Sequence, residues 1–466
     1  MKTQATIDLS NTTVHENGNM RAPRYKAYTL HNYEKIPQVQ ALDKDLLFDI
    51  RVVGNVLPFK VNNYVIDELI DWNKVPDDPI FRLTFPQRNM LKPHHYDEMA
   101  ALIRSGAGKQ EIKKAADAIR LQLNPHPAGQ VELNRPALAC GDFLEGMQHK
   151  YRETVLFFPS QGQTCHAYCT FCFRWPQFVG MDELKFAMRE ADLLVKYLKE
   201  HPEVTDVLFT GGDPLIMNPR VLAGYINPLL EADLPQLKTI RIGSKSLSYW
   251  PYKFTTDKDA AETLALFRKV SEAGKHLAIM GHFSHASELK TEAVKQAIAN
   301  IRATGAQIRT QSPILAGIND TAEAWSQMWQ EQVNQGLIPY YMFVVRDTGA
   351  KHYFEIPLAR AYAIFSQAYK QVSGIGRTVR GPSMSCSPGK VHVTGITEIH
   401  GEKYFVLNMI QGRNPDWANK PFFAKYDPAA AWLDDLEPAF GDSSFFFEEE
   451  LERMGRSRVE NLISMN

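Results

Sequence analysis

Three cysteines within eight residues, Cys165, Cys169 and Cys172, are the part of the chain best suited to chemistry. The spacing Cys-x3-Cys-x2-Cys lets three thiolates converge from one tight loop. Iron–sulfur clusters take thiolate ligands, normally four for a cubane. Three ligands would leave one iron open to chelate a small molecule through an amine and a carboxylate. Two other readings stand beside this one. A structural zinc could recruit a remote fourth ligand such as His166, although zinc sites usually pair two Cys-x2–4-Cys elements. A ferredoxin-like electron carrier would want a fourth cysteine near the run. The remaining cysteines, Cys140 and Cys386, stand alone and read as buried or incidental. An odd number of cysteines grouped in this way is not the framework of a disulfide-stapled secreted chain.

The cysteine loop needs elements to hold it. From residue 151 onward, short β-branched runs alternate with amphipathic helical runs. The predicted strands are 154–158, 206–211, 239–243, 276–283, 307–315 and 340–345. The predicted helices are 181–201, 218–232, 261–274, 291–305, 322–336 and 358–374. Six β–α units in succession require crossovers and hence a parallel sheet. The fold class expected is α/β, a partial (β/α)6 TIM-like barrel over residues 151–380. In such folds chemistry gathers at the C-terminal ends of strands. The cysteine loop follows the first strand through the short link SQGQT, so it falls at such an end.

Around that barrel, residues 1–40 read as a polar peripheral arm and 41–150 as a helical N-terminal region. Residues 381–466 read as a C-terminal region with a loop ending in Lys390, a hairpin from 391 and a tail. The tail's Phe445, Phe446 and Phe447 suggest a segment docked on the barrel, with a contact in a homo-oligomer as the other arrangement. Composition is that of an ordinary globular protein: 466 residues, 44% hydrophobic, 23% charged, net charge −1. Nothing in that balance steers the chain to nucleic acid or to an anionic membrane. No apolar run reaches the length of a membrane span, and the polar start lacks a signal-peptide core. A cytoplasmic location is expected.

Thr210-Gly211-Gly212-Asp213-Pro214 ends the second predicted strand. Glycines there let backbone approach a ligand without Cβ interference; a tight strand-to-helix turn is the plainer alternative. With the string CHAYCTFCFR (165–174), this motif resembles the radical S-adenosylmethionine superfamily, and more narrowly the lysine 2,3-aminomutase family. The resemblance runs with gaps from about residue 45 to about residue 412, through HKYRETVLFF, EVTDVLFTGGDPLIM, TIRIGS, HFSHASE, TQSPILAGIND and PYYMF.

The resemblance implies a [4Fe–4S] cluster on Cys165, Cys169 and Cys172. This cluster cleaves S-adenosylmethionine to a 5′-deoxyadenosyl radical. It also implies pyridoxal 5′-phosphate held as an internal aldimine by Lys390, and 2,3-migration of an amino group on an amino acid. By the same comparison Gly211, Gly212 and Asp213 bind the methionine end of S-adenosylmethionine. Ser244, Gln311 and Ser312 lie near the cofactors. Lys150 falls on the first of two basic phosphate-binding positions; Thr154 occupies the second, with Arg152 two residues off. Arg174 matches the arginine that grips the substrate carboxylate. Lysine-specific members read the ε-ammonium with two aspartates. Here the matching positions are Arg346, followed by Asp347, and Ser383. A buried ammonium left unpaired costs roughly 3–5 kcal/mol, so lysine itself is in doubt and an acidic or neutral polar side chain is favoured. An external one-electron reductant is implied as well. Two alternatives remain: a radical enzyme that acts on another small molecule without pyridoxal, and an iron–sulfur electron-transfer or zinc-stabilised binding protein.

Overall fold

A computed structural model describes residues 23–464. Two short strands, β1 (Ala27–Thr29) and β2 (Lys60–Asn62), pair antiparallel near the start. The other strands among the described residues form one eleven-stranded sheet. They are β3 (Met147–Tyr151), β4 (Thr154–Phe157), β5 (Asp206–Phe209), β6 (Thr239–Ser244), β7 (His276–His282), β8 (Gln307–Ile314), β9 (Ile338–Val344), β10 (Arg380–Ser385), β11 (Gly389–Ile399), β12 (Glu402–Gly412) and β13 (Pro421–Lys425). Their spatial order is their sequence order. Strands β4 to β10 are parallel. Strand β3 and strands β11 to β13 add antiparallel edges.

The crossover helices form where caps and apolar spacing agree. In Glu292–Arg302, Thr291 accepts the Val294 N–H at 3.3 Å, while Val294, Ala297, Ile298 and Ile301 are buried. That spacing places them on one face, and each of the larger three contributes about 1.5–3 kcal/mol by leaving water. Asn218 and Thr321 cap Pro219–Glu231 and Ala322–Asn334 in the same way. Opposite these helices the strands supply the other half of the core. Val207, Phe209, Ile240 and Ile242 are fully buried. Because side chains alternate across a strand, the residues between them face the other side of the sheet, where the candidate site lies. Strand β3 touches β12 although the two stand near opposite ends of the sheet order.

The structure departs from the sequence expectations in several places. A seventh parallel strand, β10, was not anticipated, because its sequence RGPSMS lacks the β-branched residues that mark strands. The helix expected over 181–201 is reduced to Ala191–Glu200. Before it the chain is extended, and Met188 exchanges backbone hydrogen bonds with Phe158 and Ser160. Of the expected arm, residues 1–22 lie outside the described residues. Beyond them β1 pairs with β2, and the Tyr25 hydroxyl donates to the His166 carbonyl at 2.7 Å. Phe445 and Phe447 are buried in an apolar cluster around Trp417 and Phe422, beside β11–β13; Phe446 is exposed. Cys386 is buried and Cys140 exposed. Among the described residues no helix is long and apolar enough to cross a membrane.

Candidate functional site

The inner face of the sheet walls a cavity of about 570 Å3. Alternate residues reach it: Asp206, Leu208 and Thr210 from β5 and the turn after it, Thr239, Arg241 and Gly243 from β6, Gln311 and Pro313 from β8. Phe171, Phe173 and Arg174 of the cysteine loop face the same cavity, as do Lys150 of β3, Lys390 of β11 and Gln411 of β12.

The cysteine loop is held by backbone from elsewhere in the chain. Tyr168 N–H donates to the Lys60 carbonyl at 2.8 Å and Thr170 N–H to the Leu83 carbonyl at 2.9 Å. The Lys60 ammonium donates to the Cys165 carbonyl at 2.7 Å. On its other side the loop rests on the glycine motif. Gly211 has φ +131°, a backbone that L side chains rarely adopt, and a Cβ on Gly212 would lie 2.4 Å from the Thr164 nitrogen. These glycines admit the segment leading into the cysteine loop: a Cβ on Gly211 would meet the Gln163 side chain, and one on Gly212 the Thr164 backbone. Asp213 then ties the assembly together. Its N–H reaches the Thr164 carbonyl at 2.7 Å. Its carboxylate accepts from Ser244, Ser246 and the backbone of Lys245 and Leu215 at 2.9–3.0 Å. Ser244 therefore faces Asp213 and does not line the cavity.

The three thiols are partly accessible yet deep in the protein. Burial raises all three: Cys169 to about 11, Cys172 to about 12, and Cys165 well above the usual thiol range. Cys165 also feels the negative forms of Asp213, Cys172 and Cys169, in that order. A coordinated thiol gives up its proton outright, so buried, mutually repelling thiols fit a cationic polynuclear group. Among the described residues no three His, Cys, Asp or Glu side chains are placed to hold a single metal ion. His166, the candidate zinc ligand, shares a hydrogen bond with Ser246 at 3.0 Å.

Across the cavity the buried groups are bases. Lys390 donates to Gln411 Oε1 at 3.1 Å and lies 4.3 Å from the centre of the Tyr341 ring. Burial first, then the charges of Arg241 and Arg380, lower it to about 7. Lys150 is pushed well below the ordinary lysine range by burial, then by Arg413, and donates to the Cys386 carbonyl. An amine whose neutral form burial favours in this way suits linkage to an aldehyde, and the second suits a phosphate. Arg152 does not join them. Strand β3 ends at Tyr151, so Arg152 sits in the β3–β4 turn, mostly exposed and 3.7 Å from Glu153. Arg413 takes the place beside Lys150, with its Nε donating to the Ser387 carbonyl at 2.7 Å. Thr154 is committed to Asp206 at 3.1 Å, and Asp206 also holds Arg241.

The remaining predicted residues divide. Arg174 and Arg346 line the cavity, and Gln311 does as well. Ser312, one residue on from Gln311, faces away and is buried, as strand alternation requires. Ser383 is buried outside the cavity wall, its hydroxyl donating to the Arg380 carbonyl at 3.2 Å. Asp347 lies beyond β9, where Asn124 donates to its carboxylate at 3.3 Å. Arg241, Asp206 and Gln411 were missed. Single polar residues inside DVLFTG and TIRIG were the available signal for the first two. Gln411 could be placed only once the β11–β12 register set it opposite Lys390.

No protein-family model matches the chain. A protein of Aquifex aeolicus (strain VF5) with the name "Putative L-lysine 2,3-aminomutase" is 29% identical over 387 residues, covering 83% of this chain and 90% of that protein. The L-lysine 2,3-aminomutase of Acetoanaerobium sticklandii is 27% identical over 264 residues, 56% of this chain and 59% of that one. That of Bacillus subtilis (strain 168) is 27% identical over 231 residues, 50% and 46% of the two chains. The chain thus matches about half the length of these last two. Among solved structures, Streptococcus suis SuiB bound to precursor peptide SuiA superposes with a TM-score of 0.34 at 12% identity, covering 59% of this chain and 58% of that one; so low a score carries no argument.

Proposed function

The chain belongs to a lysine 2,3-aminomutase-like radical S-adenosylmethionine family, and from that premise we propose that it moves an amino group between adjacent carbons of an amino acid. The observation that carries this reading is a single cavity walled on one side by the cysteine loop and on the other by a buried lysine lowered to about 7. When bound, a [4Fe–4S] cluster would supply the electron that opens S-adenosylmethionine, and pyridoxal phosphate a carbonyl to take up the substrate's amino group.

In this proposal Cys165, Cys169 and Cys172 hold the cluster, and an external reductant feeds it. Asp213 acts at one remove, locking the β5 and β6 ends onto the cysteine loop. Gln311, on the cavity face of β8, would border S-adenosylmethionine. Lys390, near pH 7 split between its two forms, would hold the aldehyde end of the cofactor; Gln411 and the Tyr341 ring keep its nitrogen in place. Lys150 with Arg413 beside it receives the phosphate dianion. Arg174 offers a planar fork to the substrate carboxylate. Phe171 and Phe173 keep water from the space between the two halves, as a radical reaction requires. We read the sheet as a partial (β/α)6 barrel extended by β10–β13; the contact of β3 with β12 supports this curvature.

The test is anaerobic reconstitution with iron, sulfide and pyridoxal phosphate. The wild type should show the absorbance of lysine-linked pyridoxal and, once reduced, release 5′-deoxyadenosine. Lys390→Ala should lose the first and keep its iron. Absence of the pyridoxal band in the wild type would favour a radical enzyme that works without that cofactor.

A further inference from the structure

Arg174 and Arg346 are an unusual pair. Both guanidiniums lie over the Phe173 ring, at 4.8 and 5.3 Å from its centre, and both face the cavity. Like charges so close repel each other unless an anion lies between them. The Nε of each is buried without a hydrogen-bond partner, and so is the Gln130 Nε2 beside them, whose Oε1 accepts from Arg174 Nη1 at 3.1 Å. Unsatisfied buried donors are costly, about 1–3 kcal/mol each, so this cluster is built for acceptors that enter the cavity. Asp347 forms a loose ion pair with Arg346, 3.6 Å from its Nε, and Arg346 Nη2 donates to the Pro127 carbonyl at 3.3 Å, so the Nε hydrogen itself is left without an acceptor.

The charge balance of the wall points the same way. Lys150, Arg174, Arg241, Arg309, Arg346 and Lys390 face two carboxylates, Glu153 and Asp206. Asp206 is already bound by Arg241 and Thr154. Glu153 is half exposed beside Arg152. If Lys150 and Arg413 serve the phosphate, an α-carboxylate satisfies one of the two paired guanidiniums and leaves the other. We infer that the substrate is a dicarboxylic amino acid, its two carboxylates divided between Arg174 and Arg346. This inference rests on the proposed role of Lys390. A cationic side chain would add to the positive excess of this wall, and a neutral one would leave the buried Nε donors of Arg174 and Arg346 with one acceptor group between them.

The test needs neither S-adenosylmethionine nor reductant. Pyridoxal-loaded protein is titrated with L-glutamate, L-aspartate, L-alanine and L-lysine, and the loss of the Lys390-linked absorbance is followed. One of the two dicarboxylates should saturate at a concentration at least about tenfold lower than L-alanine or L-lysine, the effect of one well-made charged hydrogen-bond pair. Arg346→Met should remove that advantage, weakening the dicarboxylate at least about tenfold more than L-alanine. Arg346→Gln, which keeps a buried polar chain, should repeat the result. Lysine or alanine saturating as readily as both dicarboxylates would overturn the inference. So would an Arg346→Met variant that weakens every amino acid alike, since both guanidiniums would then serve one α-carboxylate. A wild type that never takes up pyridoxal phosphate would overturn the Lys390 reading, and the inference with it.

Discussion

The cysteine loop and the wall of bases opposite it bury ionisable groups to similar depth, with opposite results. At the loop, lost hydration pushes three acids up and keeps the thiols protonated. Across the cavity the same lost hydration pushes Lys150, Arg174 and Lys390 down. Each shift disfavours the charged form of its group. The first side is therefore ready for a cation that can ionise sulfur, the second for anions that can hold protons on nitrogen. One physical cause, applied to two side-chain chemistries, makes two complementary receptors in one cavity.

That contrast can be broken on one side at a time. The largest effect should come from Cys172→Ala. Iron content after reconstitution should fall to background and release of 5′-deoxyadenosine should vanish, while pyridoxal uptake at Lys390 persists. Lys390→Met should do the reverse. It also carries a pH signature in the protein free of cofactors. Lys390 titrates near 7 when folded, against an ordinary value of 10.5. Between those values the unfolded chain binds more protons, so stability rises with pH there and is lost as pH falls toward 7. Lys390→Met should abolish that part of the slope and add roughly 1–4 kcal/mol at pH 7, where it replaces a buried cation. Denaturant titrations from pH 7 to 10 measure both.

How far the sequence could lead differs between the two sides. The cysteine loop was legible because its three ligands lie within eight residues and one loop. Lys390 was legible through its place in a family pattern, but its surroundings were not. Tyr341, Arg241 and Gln411 come from three different strands, and only the sheet register brings them to it. Local sequence also misjudged direction. Ser312 and Arg152 have suitable chemistry, yet strand alternation turns the first away and a strand end releases the second. The glycines of 211–212 were read as room for a ligand; their close approach to Gln163 and Thr164 gave no signal in the local sequence. Strand β10 was invisible because Pro382 and its serines give no strand signal.

Smaller perturbations sharpen the comparison. Gly212→Ala forces a Cβ against the Thr164 backbone and should cost about 1–3 kcal/mol. Iron loading should fall more than pyridoxal uptake, as quantified side by side. Tyr249→Phe removes the hydroxyl 3.7 Å from the Cys169 sulfur. With a thiolate there, that hydroxyl donates, and its loss should lower the cluster midpoint potential by about 40 mV, taking about 1 kcal/mol for the hydrogen bond. Redox titration followed by electron paramagnetic resonance reads the shift. Least affected should be Asn218→Ala, which removes an exposed helix cap that does not line the cavity. It should lower stability by about 1 kcal/mol and change neither iron nor pyridoxal content.

The central claim is that both halves act on one substrate. The most direct measurement incubates reduced, iron-loaded, pyridoxal-loaded protein anaerobically with S-adenosylmethionine and each amino acid in turn. Products are then analysed for 5′-deoxyadenosine and for β-amino acids. The account predicts both products together, with a dicarboxylic amino acid as the best substrate. Iron-loaded, reduced protein that never cleaves S-adenosylmethionine would contradict it.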